Sequence, residues 1–209
     1  DTVRSISNPD QVVHTGDAAY LFSDSYTRVT RIDEAHPADL DETTLQASTT
    51  TPVGTIEAAT AGDVVAYRTD SGAVYAGLLS EGTTTKLDPF PSDDRDAREY
   101  TADAIAVDER GMLFAYSRAD GAVLRFDVRR GEVRARDPFE PDGLGAPAIT
   151  AVGDAWVLID TEDGDVWRRG ADAAEDALTT GTVVVGAPVA SGDAVFLADE
   201  TALVRVPAD

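Results

Sequence analysis

The chain has only two histidines, His14 and His36, and an aspartate follows each of them three residues later, at Asp17 and Asp39. A serine-histidine-aspartate triad needs histidine as its proton carrier, so each pair could in principle serve acyl transfer. The sequence has no G-x-S-x-G nucleophile elbow to support either pair. His14 lies in the strand-like run Gln11-VVHTG and is better interpreted as a packed histidine. We therefore predict no catalytic residues.

An acidic segment, Asp160-TEDGD, resembles a calcium loop at first sight. An EF-hand loop needs glycine at its sixth position and glutamate at its twelfth, whereas Gly164 falls at the fifth position and no glutamate stands at the twelfth. We interpret the segment as a hairpin turn with solvated acids and predict no metal site. A calcium-stabilised repeat stays open as a third hypothesis.

The other acidic residues could supply a carboxylate pair for glycoside hydrolysis or lyase chemistry, but that chemistry depends on separations in space that sequence spacing does not disclose.

The composition argues against several classes of partner and site. The 209 residues include 39 Asp or Glu against 17 Lys or Arg, a net charge of −22, which argues against nucleic acid or an anionic membrane surface as partner. The absence of cysteine excludes disulfides, thiolate zinc sites and cysteine catalysis. No phosphate- or dinucleotide-binding loop is present, and we predict no cofactor.

A unit of about 42 residues recurs along the chain. Each copy opens with a small residue and usually Gly-Asp, followed by an apolar run. The copies read Gly16-Asp17-AAYLFSD, Gly62-Asp63-VVAYRTD, Gly111-MLFAYSR, Gly153-Asp154-AWVLID and Gly192-Asp193-AVFLAD.

Each unit reads as four antiparallel strands. A small, apolar segment precedes the opening glycine (Thr55-IEAAT, Ala104-IAVDE, Ala148-ITAV, Ala187-PVAS). After the apolar run, an acidic turn leads into a third segment; these turns are Asp70-Ser71-Gly72, Ala119-Asp120-Gly121 and Glu162-Asp163-Gly164. Asp-Gly between alternating runs predicts a hairpin with a type I′ turn. A fourth segment follows in Thr83-TTKLDPF and Glu132-VRARDPF.

Four-stranded units at this period predict an all-β fold, a β-propeller of about five blades in one domain. The approximate blades are residues 8–50, 51–100, 101–145, 146–186 and 187–209. A two-sheet sandwich is the alternative, although it would not require one motif five times. The last copy stops after its third strand, so the strand-like Thr2–Ser7 could complete it and close the ring. Alternatively, the chain is a fragment of a larger ring.

Three irregular segments could carry specificity, because loops on a rigid scaffold carry function. They are His36–Thr51, Pro91–Tyr100 and Ala171–Ala177, and the last has a composition that could form one or two helical turns. Elsewhere we expect very little helix.

Arginines and tryptophans lie on or beside the predicted strands. The arginines (Arg68, Arg118, Arg125, Arg134, Arg136, Arg168, Arg169) are expected to neutralise acids across strands or between blades. Trp156 and Trp167 fall in one blade, either in the core between blades or as an exposed platform for sugar or peptide.

The segment Arg118-ADGAVLRFDVRRGEV resembles PQQ-like and NHL-like propeller repeats, without the residues that would imply a quinone cofactor. The order of Gly111-MLFAYSRADGAVLRFD, Gly153-DAWVLIDTEDGDV and Ser191-GDAVFLADETALVRVP is similar to the N-terminal propeller region of large actinobacterial surface proteins, which carry fibronectin type III or immunoglobulin-like domains. That resemblance implies an extracellular or cell-surface location, an anchor in a segment outside this chain, and further blades beyond Asp209.

We therefore expect a non-enzymatic extracellular binding or assembly module that recognises a protein or a cell-wall glycan. The alternative is a carbohydrate-active hydrolase or lyase that uses carboxylates at the axis of the propeller. The sequence assigns no binding residues, and it predicts no nucleic-acid partner and no membrane insertion by this chain.

Overall fold

A computed structural model describes residues 9–15, 18–33, 40–44, 51–88, 99–153, 155–170, 175–179, 183–185, 187–191, 194–198 and 201–207. Within these ranges the chain forms strands and one short 3-10 helix, Leu79–Glu81. The expectation of very little helix is confirmed. No helix in this part of the chain has the length and apolar character needed to span a membrane.

The strands form five sheets in chain order. The first two contain β1 (Gln11–Thr15), β2 (Ala18–Ser23), β3 (Arg28–Asp33) and β4 (Leu40–Thr44), then β5 (Thr55–Ala61), β6 (Val64–Thr69), β7 (Val74–Leu78) and β8 (Thr83–Lys86). The third and fourth contain β9 (Ala104–Val107), β10 (Met112–Ser117), β11 (Ala122–Asp127) and β12 (Glu132–Pro138), then β13 (Pro147–Val152), β14 (Ala155–Asp160), β15 (Asp165–Arg169) and β16 (Glu175–Thr179). The fifth contains β17 (Val189–Ser191), β18 (Ala194–Ala198) and β19 (Leu203–Pro207).

Each sheet is an antiparallel meander, and the five first strands surround a common axis. β1 contacts β5, β5 contacts β9, β9 contacts β13, β13 contacts β17, and β17 contacts β1. This cyclic arrangement is that of a β-propeller, so the predicted all-β propeller is confirmed and the sandwich alternative is wrong. We number the blades 1 to 5 in chain order.

The fifth blade has three strands among the described residues. Thr2–Ser7 lie outside those residues. The closing strand and the larger ring therefore both stay predictions. Each observed sheet falls inside one of the approximate blade boundaries expected from the repeat.

The hydrophobic core lies between adjacent blades. Phe22 and Tyr67 meet edge to face between blades 1 and 2, with ring centroids 6.1 Å apart. Between blades 3 and 4, Ala104 and Ala106 of an inner strand leave room for Trp156. The small residues of the first strands thus fit their crowded position around the axis, because blades converge there.

The predicted type I′ turns are wrong. That turn needs positive φ at both central residues, but only the glycine of each acidic turn is left-handed: Gly72 at 82°, Gly121 at 55° and Gly164 at 75°. The aspartate or serine before each glycine keeps negative φ, so the hairpin connections are longer loops that end in a left-handed glycine.

Two of the irregular segments contain strands. Glu175–Thr179 forms β16, paired in register with β15, where helical turns were expected for Ala171–Ala177. Pairing to a neighbouring strand overrides local helix propensity. Within His36–Thr51, Leu40–Thr44 forms β4. Residues 36–39, 45–50, 91–98 and 171–174 lie outside the described residues.

The meander sets which loops share a face. Connections between blades and turns between the second and third strands lie at the end of the ring where the inner strands begin. Backbone hydrogen bonds join these two kinds of loop: Asp70 N–H to Gly54 O at 2.8 Å, Phe139 N–H to Gly121 O at 2.8 Å, and Thr161 N–H to Ala146 O at 2.9 Å. We call this side the loop face and the opposite side the hairpin face.

Candidate functional site

An axial cavity of about 320 Å³ is lined by the inner strands of all five blades. Most lining residues are alanine, valine and isoleucine. The polar members are Gln11, His14, Glu57 and Thr150. Among the described lining residues there is one carboxylate, that of Glu57, and no phenylalanine, tyrosine or tryptophan.

Glu57 is paired with Arg68 across strands β5 and β6. The two residues are register partners beside an irregularity in β5, and Arg68 Nε donates to Glu57 Oε2 at 2.5 Å. Ile105 N–H of blade 3 lies 3.4 Å from the other carboxylate oxygen. Burial raises the pKa of Glu57, and the Arg68 guanidinium partly opposes that shift. The only carboxylate among the described lining residues is therefore paired with an arginine of the same blade.

His14 lies on β1 and lines the axial cavity. Its candidate partner Asp17, and the other pair His36 and Asp39, lie outside the described residues. The structure therefore neither assembles nor tests a histidine-aspartate pair from these positions.

Asp160, the first residue of the apparent calcium loop, binds backbone amides. Its buried carboxylate accepts hydrogen bonds from Gly145 N–H at 2.6 Å, Ala146 N–H at 3.2 Å and Glu162 N–H at 2.9 Å. Burial alone would raise the pKa of Asp160, but these donors together outweigh burial and hold the pKa below its ordinary value. Asp160 thus fixes the connection between blades 3 and 4 to blade 4. Among the described residues, no group of histidines and carboxylates is arranged to hold a metal ion.

The arginines bind acids within blades and carbonyls at their edges. Arg125 Nε lies 3.0 Å from Asp137 Oδ2, in a pair that is mostly buried. Arg118 of blade 3 donates to Gly145 O, in the connection to blade 4, at 2.8 Å. The remaining contacts are Arg134 with Asp127 and Glu132, Arg136 with Asp120 O, Arg168 with Pro207 O, and Arg169 with Pro138 O.

The two tryptophans belong to the boundary between blades 3 and 4. Trp156 is buried, and its Nε1 donates to Asp137 Oδ2 at 3.2 Å. Phe139 lies between the indoles, with centroid distances of 5.0 Å to Trp156 and 6.1 Å to Trp167. Of the two roles expected for these residues, the structure supports the core and not an exposed platform.

The loop face carries most of the exposed large apolar side chains. Of seven such residues in the described part of the chain, six lie at the loop-face ends of strands or in loop-face connections: Val12, Val53, Ile56, Val183, Val185 and Leu203. The seventh, Val133, begins a fourth strand at the hairpin face. The exposed large apolar side chains of the described residues are therefore unevenly divided between the two faces.

The loop face is also acidic. The recurring acidic turns and the connections between blades all lie there. The described carboxylates in these turns and connections belong to Asp10, Asp24, Asp70, Asp88, Glu99, Asp103, Asp120, Glu140, Asp142, Glu162 and Asp163. The loop face has fewer cations than acids, namely Arg28, Lys86 and Arg118, whereas turns of the hairpin face carry Arg110, Arg129 and Arg130 beside a smaller number of acids. The net negative charge is therefore concentrated on the side that exposes apolar residues.

Sequence reasoning missed Tyr26 and Glu57. Glu57 carried a signal, because it is the one charged residue in the otherwise small and apolar segment Thr55-IEAAT. Tyr26 carried none, since its environment arises where blades 1 and 2 meet.

No protein-family model matches this sequence, and a search of curated sequences finds no relative. Solved structures are similar in fold. Virginiamycin B lyase from Staphylococcus aureus matches with a TM-score of 0.57 at 14% identity, over 97% of this chain and 67% of that chain. A nidogen/laminin complex matches with a TM-score of 0.57 at 12% identity, over 94% and 75%. The WD40 repeats of RRP9 match with a TM-score of 0.56 at 12% identity, over 95% and 63%. The chain therefore has the fold of the β-propellers.

Proposed function

We propose that this propeller is a non-enzymatic binding module of a bacterial cell-surface protein, and that its loop face docks a partner protein. One observation carries the proposal: the exposed aliphatic side chains and the recurring acidic turns occupy the same face. Protein interfaces combine an apolar centre with a polar rim. The complementary partner surface is apolar with a rim of lysine and arginine, because charges across an interface are arranged to attract.

A protein partner is favoured over a cell-wall glycan by the placement of the aromatic residues. Sugar-binding surfaces present aromatic faces to the ligand, whereas Trp156 is buried and Trp167 packs on Phe139. The exposed large apolar residues of the loop face are aliphatic instead.

The hydrolase or lyase alternative receives less support from the axial cavity. General acid and base catalysis of glycoside cleavage needs two carboxyl groups at a defined separation. The described lining offers Glu57 alone, and Arg68 already occupies one of its oxygens.

Panning the immobilised domain against a phage-displayed library of random peptides tests the proposal. Enriched peptides should contain lysine or arginine beside leucine, isoleucine or valine, and their affinity should fall as salt is raised. A variant with serine at Val53, Ile56, Val185 and Leu203 should lose this binding. Val133→Ser, an exposed valine outside the loop face, is the matched control and should keep it.

Two results would contradict the docking face. One is equal binding of the selected peptides to wild type and to the fourfold variant. The other is failure to enrich any peptide, together with binding of a cell-wall polysaccharide that survives the fourfold substitution.

A further inference from the structure

The turn between β2 and β3 has a backbone that side chains rarely adopt. Asp24, Ser25 and Tyr26 have φ values of 54°, 58° and 63°, so three successive non-glycine residues are left-handed. Each such residue costs about 1 to 2 kcal/mol relative to the right-handed form. Contacts around the turn must offset that cost for the turn to persist.

Those contacts come from three separate segments and converge on Tyr26. Its backbone N–H donates to Asp10 Oδ2 at 3.2 Å, and its hydroxyl donates to Ile56 O at 3.1 Å on blade 2. Its carbonyl accepts from Thr51 Oγ1 at 3.2 Å and from the Tyr67 hydroxyl at 3.4 Å. The turn is thus held in one position before any ligand arrives.

The surroundings of this turn combine apolar exposure with negative charge. Val53 is 100% exposed and Ile56 is 49% exposed. The Asp10 and Asp24 side chains lie at solvent-exposed positions, and Arg28 Nη1 lies 3.7 Å from Asp24 Oδ2, so two carboxylates face one exposed cation of the chain itself. We call Asp10, Asp24, Tyr26, Val53 and Ile56 the Tyr26 corner.

We propose that the Tyr26 corner is the anchor of the docking face, and that it receives a lysine or arginine side chain next to an aliphatic residue of the partner protein. This inference rests on the proposed function and locates its binding energy. Interface energy concentrates in a few residues rich in tyrosine, and a surface that is already ordered loses little entropy on binding. The cation of the partner meets the tyrosine ring and the Asp10 carboxylate, whose charge Arg28 does not balance, while its aliphatic neighbour covers Val53 and Ile56.

The test compares two apolar sites on the same face, using a peptide selected by panning on the wild-type domain. The corner variant is Val53→Ser with Ile56→Ser. The matched control is Val185→Ser with Leu203→Ser, at 52% and 67% exposure between blades 4 and 5. The corner variant should weaken binding at least about tenfold, and the control should change it less than about twofold.

A charge variant tests the cation. Asp24→Asn removes the carboxylate that pairs with Arg28 and so makes the corner less negative by one charge, and asparagine tolerates the left-handed backbone that the turn needs. Binding should weaken about threefold and depend less on salt. Replacing the lysine or arginine of the peptide by glutamine should weaken wild-type binding by a similar factor and should leave Asp24→Asn binding less affected.

The outcomes separate this inference from the proposed function. Loss of binding in the control variant with no effect of the corner variant overturns the anchor and leaves the docking face standing. No effect of either variant overturns both. Circular dichroism verifies folding of every variant. If the corner variant fails to fold, binding of the single variant Val53→Ser is measured instead. That side chain is fully exposed, so its replacement leaves the fold intact.

Discussion

The side chain of Gln11 on blade 1 hydrogen-bonds both backbone groups of Ala58 on blade 2. Gln11 Nε2 donates to Ala58 O at 2.8 Å, and Ala58 N–H donates to Gln11 Oε1 at 2.7 Å. A primary amide offers a donor and an acceptor side by side, which matches the N–H and C=O of one residue. Two neighbouring inner strands, which share no backbone ladder, are joined in this way.

Gln11→Glu should therefore destabilise the domain in a pH-dependent manner. The carboxylate keeps the acceptor for Ala58 N–H but faces Ala58 O without a proton, so we expect a loss of about 2 kcal/mol near pH 7. Protonation at lower pH restores a donor, and the difference from wild type should shrink toward pH 4. Urea unfolding at both pH values measures the loss of stability. A loss that does not change with pH would contradict the pair of hydrogen bonds between Gln11 and Ala58.

Removing one member of the Glu57–Arg68 pair should lower the free energy of unfolding more than removing both members. Glu57→Leu leaves the guanidinium without its carboxylate, and Arg68→Met does the reverse. Each should cost about 3 kcal/mol, while the double variant should cost less than about 1.5 kcal/mol. A double-mutant cycle by urea unfolding measures the coupling, and strictly additive single effects would disprove it.

Asp160→Asn should remove stability that depends on ionisation. The folded-state pKa of Asp160 lies below its ordinary value of 3.8, so its stabilising contribution is present above that value and is lost as the pH falls through the folded pKa. The variant should be about 2 kcal/mol less stable than wild type at pH 7, and this gap should shrink progressively as the pH falls below about 4.

Asp163→Asn is the control for that measurement, because Asp163 is an exposed acid of the same turn. It should change the free energy of unfolding by less than about 0.5 kcal/mol. A constant gap between Asp160→Asn and wild type from pH 7 to pH 3 would show that the amide contacts do not depend on the charge.

The interpretation of Thr2–Ser7 as the closing strand gives a separate prediction. Deleting residues 1–8 should lower the thermal midpoint by about 5 °C or more, since the loss of one strand pairing amounts to about 2 kcal/mol in a chain of this size. Scanning calorimetry measures the midpoint. An unchanged midpoint would favour the interpretation that this chain is a fragment of a larger ring.

The blades were predictable because their signals are local. A short apolar run after Gly-Asp marks strands such as Val64–Thr69, and glycine in a short acidic segment marks the turns. Small inner strands such as Ala104–Val107 follow from crowding at the axis. The turn type was not predictable, because a left-handed glycine fits several hairpin loops. The strand at Glu175–Thr179 was missed because its register with β15 outweighs its helix-forming composition.

The sequence by itself determined the repeat, the strands and the excess of acid. The tertiary structure decided which of these features share a surface. Ring formation places the turns at Asp70, Asp120 and Asp163 on one face, although some 50 residues separate the first two along the chain. It also encloses Glu57, the partner of Arg68, at the axis and ties Tyr26 to blade 2. Strands and turns arise from neighbours in sequence, whereas faces and sites arise from the packing of blades that are distant in sequence.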